Sequence, residues 1–373
     1  MVVKYDLFRD KGNHMNITWL VIVLLMAIAP WIIKIIVPHN IKVSEVVVSM
    51  AVATLSFSIF FMLGKYSQTL DYEIWSGSIT GKNRSEDTYL RSYDCNCRDV
   101  CSGTGDNRTC SRQCDTCYER RYTVTWDAYS NIGNYRIKHL DSSSISVYGT
   151  PNPERFNIIK NGDPVAKTVS FTNYVKAAPL SVFHNTVVEE QFKALIPDYP
   201  DKIYDFYHID RVLASGVNIP DLQIWNMALS ALMCELGFES KANIVIVFVG
   251  TNDKAYVESL KNAWLNGKKN DVIIVLGMTD YPNVQWVDVF GWTDEELFKV
   301  QLKQALEKEK VVNIYKTLDI IKEHVKGSFK YKNMEDFAYL ENAIEPPLWV
   351  IIVGIFFSII ISFIAALAVR RYS

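Results

Sequence analysis

Three uncharged apolar runs, Ile17–Ile33, Val46–Gly64 and Leu348–Val369, flank one long polar stretch. A hydrocarbon core of about 30 Å takes roughly 20 helical residues to cross, and every backbone group inside it must be satisfied within the segment. The second and third runs reach that length unaided. The first stops at Lys34, but Ile35, Ile36 and Val37 extend it, because a lysine near a helix end can lift its ammonium to the interface. The chain therefore reads as a membrane protein of α+β class with three transmembrane helices.

Ala27-Ile28-Ala29 has the small-x-small spacing of a signal-peptide cleavage site, but Pro30 directly after it and a second span close behind argue for an uncleaved helical hairpin over 16–64. Its turn falls at Val37-Pro38-His39-Asn40. Three spans put the N-terminal tail, 1–15, and the polar stretch on one side of the bilayer. The hairpin turn and the basic tail, 370–373, lie on the other. Lys34, Lys42, Arg370 and Arg371 favour a cytoplasmic turn and C-terminus, while Lys4, Arg9, Lys11 and Lys65 favour the reverse. Translation from Met15 would remove three of the second set and place the polar region outside the cytoplasm. The net charge of −2, with no Lys/Arg-rich block, gives no footprint for nucleic acid.

Six of the seven cysteines, Cys95, Cys97, Cys101, Cys110, Cys114 and Cys117, lie within 23 residues as C-x-C-x3-C-x8-C-x3-C-x2-C. In an oxidising compartment such a set forms disulfides that hold a loop too polar to hold itself, with 15 pairings open to six cysteines. In a reducing compartment Cys95, Cys97, Cys114 and Cys117 would be zinc ligands, although a zinc ribbon usually has C-x2-C at both ends. A redox role for Cys114-Asp115-Thr116-Cys117 needs a helix to follow, and Tyr118–Trp126 reads as a strand. The cluster is thus expected at the tip of a β-hairpin. Cys234 reads as a small apolar side chain on a helix.

Residues 65–175 have strand and turn composition, with Tyr72–Ile79 and Tyr135–Leu140 alternating and turns at Pro151-Asn152-Pro153 and Asn161-Gly162. They are read as a small antiparallel β domain carrying the Cys-rich hairpin 95–117. A connecting segment, 176–219, contains Pro179, Pro197 and Pro200, which exclude a long helix. Its Tyr199, Tyr204, Phe206 and Tyr207 are expected to pack between domains rather than to cage a ligand. Over 220–328 helical and apolar strand patterns alternate. Trp225, Leu229, Leu232 and Leu236 share a helix face with Gly237 as its cap, followed by buried strands Asn243–Gly250 and Val272–Met278 and a third strand in Val284–Trp292. Thr293 and Glu296 have capping-box spacing before a helix with Phe298, Leu302 and Leu306 on one side. This order predicts an α/β sandwich domain, joined by the linker 329–347 to the last span.

Ala242–Leu306, with its helix ending Ala263-Trp264 and with Gly267-Lys268-Lys269-Asn270-Asp271-Val272 entering the second strand, resembles the TPM domain family. That resemblance implies an α/β sandwich held at a membrane by a C-terminal span and facing away from the cytoplasm. Tyr93-Asp94-Cys95-Asn96-Cys97-Arg98 and Cys114-Asp115-Thr116-Cys117-Tyr118-Glu119 resemble the hairpin of uncharacterised membrane proteins of T4-like tailed phages. This second likeness implies insertion into a bacterial host envelope and carries no biochemical role.

No G-x-S-x-G, H-E-x-x-H or phosphate-loop motif occurs, and the six histidines are scattered. The first functional reading is therefore a non-enzymatic envelope protein that binds a partner or alters the host membrane, with no cofactor. The alternative follows from the TPM resemblance, which implies a metal-assisted phosphatase. Asp253, Asp280, Asp288 and Asp294 are its candidates, placed near strand ends where α/β sheets bind ligands. For Asp253 and Asp294 the helix dipole alone also favours a carboxylate. No span carries an ionisable residue in its middle, which argues against a channel. Gly354, Ser358 and Ser362 would let the last helix pack closely, on the hairpin or on a second copy.

Overall fold

The structure is a computed structural model and describes residues 17–36, 41–102, 109–140, 142–178 and 187–372. The N-terminal tail, the hairpin turn at 37–40 and the loop 103–108 lie outside them. Helix α1 (Ile17–Ile36) contains Pro30, and α2 (Val43–Thr69) follows. Lys34 Nζ donates to the Ile41 carbonyl at 2.7 Å, so the charge at the end of α1 is satisfied by backbone. α2 then passes without a linker into strand β1 (Leu70–Ser102), 33 residues long. β2 (Thr109–Ser130) returns antiparallel along β1, β3 (Gly133–Ile137) pairs with β2, and β4 (Pro164–Thr172) pairs with the start of β1. The sheet order is β3-β2-β1-β4. One-turn helices α3 (Glu154–Ile158) and α4 (Tyr174–Ala177) flank β4. Ile79, Val124, Trp126, Ile137, Phe156 and Val165 form this sheet's core. Trp126 Nε1 donates to Asn152 Oδ1 at 3.0 Å, which ties the Pro-Asn-Pro turn to it.

A 3-10 segment, Glu190–Leu195, leads into β5 (Val212–Ser215), α5 (Leu222–Ser240) and β6 (Asn243–Val249). Then come α6 (Tyr256–Ala263), β7 (Asp271–Gly277), β8 (Trp286–Gly291), α7 (Glu296–Glu307) and α8 (Ile314–Ser328). The second sheet has the order β5-β6-β7-β8, with β5, β6 and β7 parallel and β8 antiparallel to β7. Every residue of β6 and β7 is buried, as expected of apolar runs covered on both faces. α5, α7 and α8 cover one face through Leu229, Phe298 and Ile321, and α6 covers the other through Tyr256 and Leu260. A second 3-10 stretch, Met334–Ala343, precedes α9 (Leu348–Tyr372).

Local expectations change in three places. β5 lies inside the segment read as a connection, because a strand of four residues is too short to show a period. Gly237 is not a cap: α5 continues to Ser240 and ends at Lys241 with φ 57°. A Cβ on Gly237 would stand 2.6 Å from Ser76 Cβ and from the Ser76 carbonyl oxygen, so glycine is what lets α5 lie on β1. The Thr293 box does not form, since α7 starts at Glu296 with Glu295 before it. Thr293 Oγ1 instead accepts from the Glu295 N–H at 3.2 Å and donates to the Lys330 carbonyl at 2.9 Å.

α1, α2 and α9 are each long and apolar enough to cross a membrane. They meet through Met26, Ala53, Phe57 and Phe61, with Ile351 and Ile355 packed alongside. A Cβ on Gly64 would lie 2.7 Å from Val350 Cγ1, and one on Gly354 would lie 3.1 Å from Phe60 Cβ. Ser358 and Ser362 are buried. These small residues of α9 are therefore used in packing within the chain. The outward faces carry exposed Leu25, Leu55, Leu63 and Phe356.

Candidate functional site

Beyond Asp87 and Thr123 the pair β1–β2 has no further strand beside it among the described residues and, past a ring contact of Tyr122 with Tyr148 at 5.3 Å, continues to the register pair Ser102–Thr109. Fifteen residues of β1, 88–102, belong to this free part, a length of about 50 Å at the usual rise per residue. None of them is buried, and both ribbon edges are open among the described residues. Two-stranded ribbons are marginal in water. Here the cysteines supply the missing cohesion, as Cys101–Cys110, Cys97–Cys114 and Cys95–Cys117, nested from tip to base.

The pairing follows from register. Cys101 stands directly opposite Cys110, and the same alignment carries Arg98 opposite Gln113 and so Cys97 opposite Cys114. A bulge between Cys95 and Arg98, with Asn96 at φ 47°, then shifts the strands so that Cys95 joins Cys117 diagonally. Every sulfur of the zinc alternative, Cys95, Cys97, Cys114 and Cys117, is bonded to another sulfur, so this structure leaves no thiolate there for a metal. Cys234 remains free on α5, with Sγ 3.4 Å from the Ser230 carbonyl, and burial raises its thiol.

The four carboxylates of the hydrolase alternative do not come together. Asp253 follows β6 and holds the Ala255 N–H at 2.9 Å, a turn-forming role. Asp280 follows β7, and its carbonyl accepts from the Asn283 N–H at 2.9 Å in the turn before β8. Asp288 sits within β8 opposite Val275 and takes Lys303 at 3.2 Å. Asp294 lies beyond the far end of β8, where Gly291 pairs with Val272, and is paired with Lys332. Asp253 and Asp280 are thus at the C-terminal edge of the parallel strands and Asp294 at the opposite edge, about 20 Å away at the strand rise. No group of three or more His, Cys, Asp or Glu able to hold a metal occurs among the described residues.

At that opposite edge the structure assembles a buried polar network that motif reading passes over. Arg211, just before β5, is 2% exposed and forms no ion pair with a carboxylate among the described residues. It donates through Nε to Asn243 Oδ1 (2.8 Å) and through Nη2 to Ser76 Oγ (2.6 Å). Asn243 in turn donates to Asp271 Oδ1 at 2.9 Å. Tyr199 OH and the Lys268 N–H reach Asp271 Oδ2 at 2.7 and 2.6 Å. Lys268 Nζ then crosses to Asp71 Oδ1 on β1 at 2.6 Å, and Asn173 and Lys176 complete the Asp71 carboxylate. Burial pushes the Asp271 carboxyl up to about 6 against the lowering effect of its donors, and pushes Arg211 down to about 10. For Asp71 burial acts upward too, but the bond and charge of Lys268, with Asn173 and the Tyr72 N–H, hold it below its ordinary value.

The cavity beside this network is only about 50 Å³ and is walled by Asp71, Lys176, Lys268, Trp264 and Trp292. Its charged groups already satisfy one another, so the arrangement joins the two sheets rather than receiving a substrate. Tyr199 and Phe206 of the connecting segment divide between the sheets. Tyr199 stacks edge-on against Trp264 at 5.4 Å, and Phe206 contacts Tyr135 at 5.8 Å. The sequence offered only local cues to the joint, the polar Lys268-Lys269-Asn270-Asp271 ahead of a strand and Asp71 beyond the Lys65–Leu70 stretch that follows the second apolar run. What the sequence lacked was the pairing of residues nearly 200 positions apart.

No protein-family model, curated protein or solved structure matches this chain.

Proposed function

We propose that the protein is a three-span membrane protein that holds a disulfide-stapled β ribbon outside the cytoplasm and binds a partner protein with it, without catalysis. The observation that carries this reading is the ribbon itself. It extends about 50 Å from the sheet, has two open edges, and bears exposed Tyr89, Leu90, Tyr93 and Tyr118 among interleaved charges. An open strand edge is a template for adding a partner strand, and the flanking side chains select which strand. Three disulfides within the described residues fit an oxidising compartment, and α1, α2 and α9 have the length and outward apolar faces of spans. With the ribbon outside, Lys34, Lys42, Arg370 and Arg371 gather on the cytoplasmic side. We take a bacterial envelope as the setting, on the resemblance of the Cys-rich hairpin to that of tailed-phage membrane proteins. The hydrolase alternative draws no support from the separated Asp253, Asp280, Asp288 and Asp294.

Intact cells producing the protein are treated with a membrane-impermeant thiol reagent, with and without prior reduction, and the Cys95–Cys117 peptide is weighed. Labelling only after reduction is the expected result. Protection in intact cells, followed by reaction in lysates without reduction, would invert the topology. Photo-crosslinkers placed at Tyr93 and at Phe238, both exposed, test the ribbon's role. A discrete adduct from the first position alone is expected, and one from neither position or equally from both would remove it.

A further inference from the structure

The end of the three-helix bundle remote from the sheets holds a cavity of about 410 Å³ between α1, α2 and α9. Its walls are apolar, with Met26, Ile33, Val46 and Phe363 among them, and two ionisable groups border it, Glu45 and Arg370. Glu45 lies in the first turn of α2 and Arg370 in the last turn of α9. Because these helices run antiparallel, the two groups stand at one level of the bundle. Glu45 is only 6% exposed, and its Oε1 has no hydrogen-bond partner among the described residues. Arg370 is exposed and forms no ion pair with Glu45 among the described residues.

The helix dipole favours a carboxylate in a first turn, but by no more than about 2 kcal/mol even when partly buried. Burial without a donor costs several kcal/mol in general, so the unmet acceptor points to a ligand that brings its own cation. We propose that this cavity binds a phospholipid with a primary-amine headgroup. Its ammonium donates to Glu45, its phosphate meets Arg370, and an acyl chain fills the apolar space. A primary ammonium has three donors for the carboxylate, whereas an anionic glycerol headgroup has no cation and would set its charge against Glu45. The geometry also suits the bilayer: the cavity lies at the interface level, where headgroups reside, and its acidic and basic sides match the two charges of a zwitterion.

The full-length protein in detergent is titrated with phosphatidylethanolamine, phosphatidylglycerol or phosphatidylcholine, and retained lipid is counted by native mass spectrometry. The wild type is expected to retain phosphatidylethanolamine about tenfold better than phosphatidylglycerol, the size of one charge-assisted hydrogen bond, with phosphatidylcholine between them. Glu45→Gln should erase that preference, and Arg370→Gln should weaken retention of both phosphatidylethanolamine and phosphatidylcholine. Ala29→Leu keeps the carboxylate and fills the cavity, so it should lower retention of all three lipids even if Glu45→Gln fails to fold. Phosphatidylglycerol retained as well as phosphatidylethanolamine by the wild type would overturn the proposal. So would an unchanged preference in Glu45→Gln, or unchanged retention in Ala29→Leu.

Discussion

At the scale of single residues the joint between the sheets makes stability depend on pH in a definite direction. Asp271 has an ordinary value of 3.8 and a folded one of about 6, so between those values the folded chain holds a proton that the unfolded chain has released. Stability is then greatest below that window and falls as pH rises through it, by ~3 kcal/mol if Asp271 acted alone. Asp71 is lowered, so its contribution is kept above its ordinary value and lost only at more acidic pH, outside that window. Denaturation midpoints in detergent should therefore drop between about pH 4 and 6, and Asp271→Asn should flatten that slope. Gly237→Val offers a steric test. Its Cβ would meet the Ser76 carbonyl oxygen at 2.6 Å, where backbone cannot yield, and a loss of about 2–3 kcal/mol in chemical denaturation is expected. Neither role was legible in sequence. Gly237 followed a run of core leucines and looked like a stop, and Asp271 looked like the entry to a strand. Only the partners Ser76 and Tyr199, brought from distant positions, give them their functions.

At the scale of elements the local pattern foretold what local physics controls. The apolar runs at 243–250 and 272–278 became β6 and β7, and the alternation at 72–79 became the base of β1. The remainder of β1 was not legible, since residues 88–102 face solvent on both sides and so carry no buried period. Strand there is imposed by register and by covalent bonds. Reduction of the three disulfides should accordingly expose the ribbon between about residues 88 and 122 to limited proteolysis while leaving 212–328 protected. The double variant Cys101→Ser, Cys110→Ser should fray only the tip, because the two inner disulfides still close the strands. Engineered and native bridges over short loops contribute about 2–4 kcal/mol, enough to decide the fate of a ribbon with no core. Equal cleavage with and without reductant would show that the strands hold themselves.

At the scale of the whole molecule, three apolar helices and two sheets are united by few but demanding contacts. Asp71 is the hub, 3% exposed and bound by Lys268, Lys176 and Asn173. Asp71→Ala strands two partly buried ammonium groups and should cost about 2–3 kcal/mol, less than a fully buried pair because both lysines keep some water. Calorimetry should show this as a lower first transition, and Asp71→Asn should recover part of it by keeping an acceptor. The arrangement of the sheets around Asp71 was beyond sequence reading, whereas the number and order of apolar helices was evident from the positions and lengths of the apolar runs. α2 ends at Thr69 and β1 begins at Leu70, so an apolar helix passes into the strand that carries the ribbon with no loop between them. A rod fixed in this way is a lever. A change in helix tilt, which lipid thickness readily imposes, moves the far end of a ~50 Å arm by roughly 1 Å per degree. If the helices span a bilayer and the ribbon binds a partner as proposed, the cysteine ladder stiffens this arm, and a partner held at its tip would feel a change of membrane thickness at the other end.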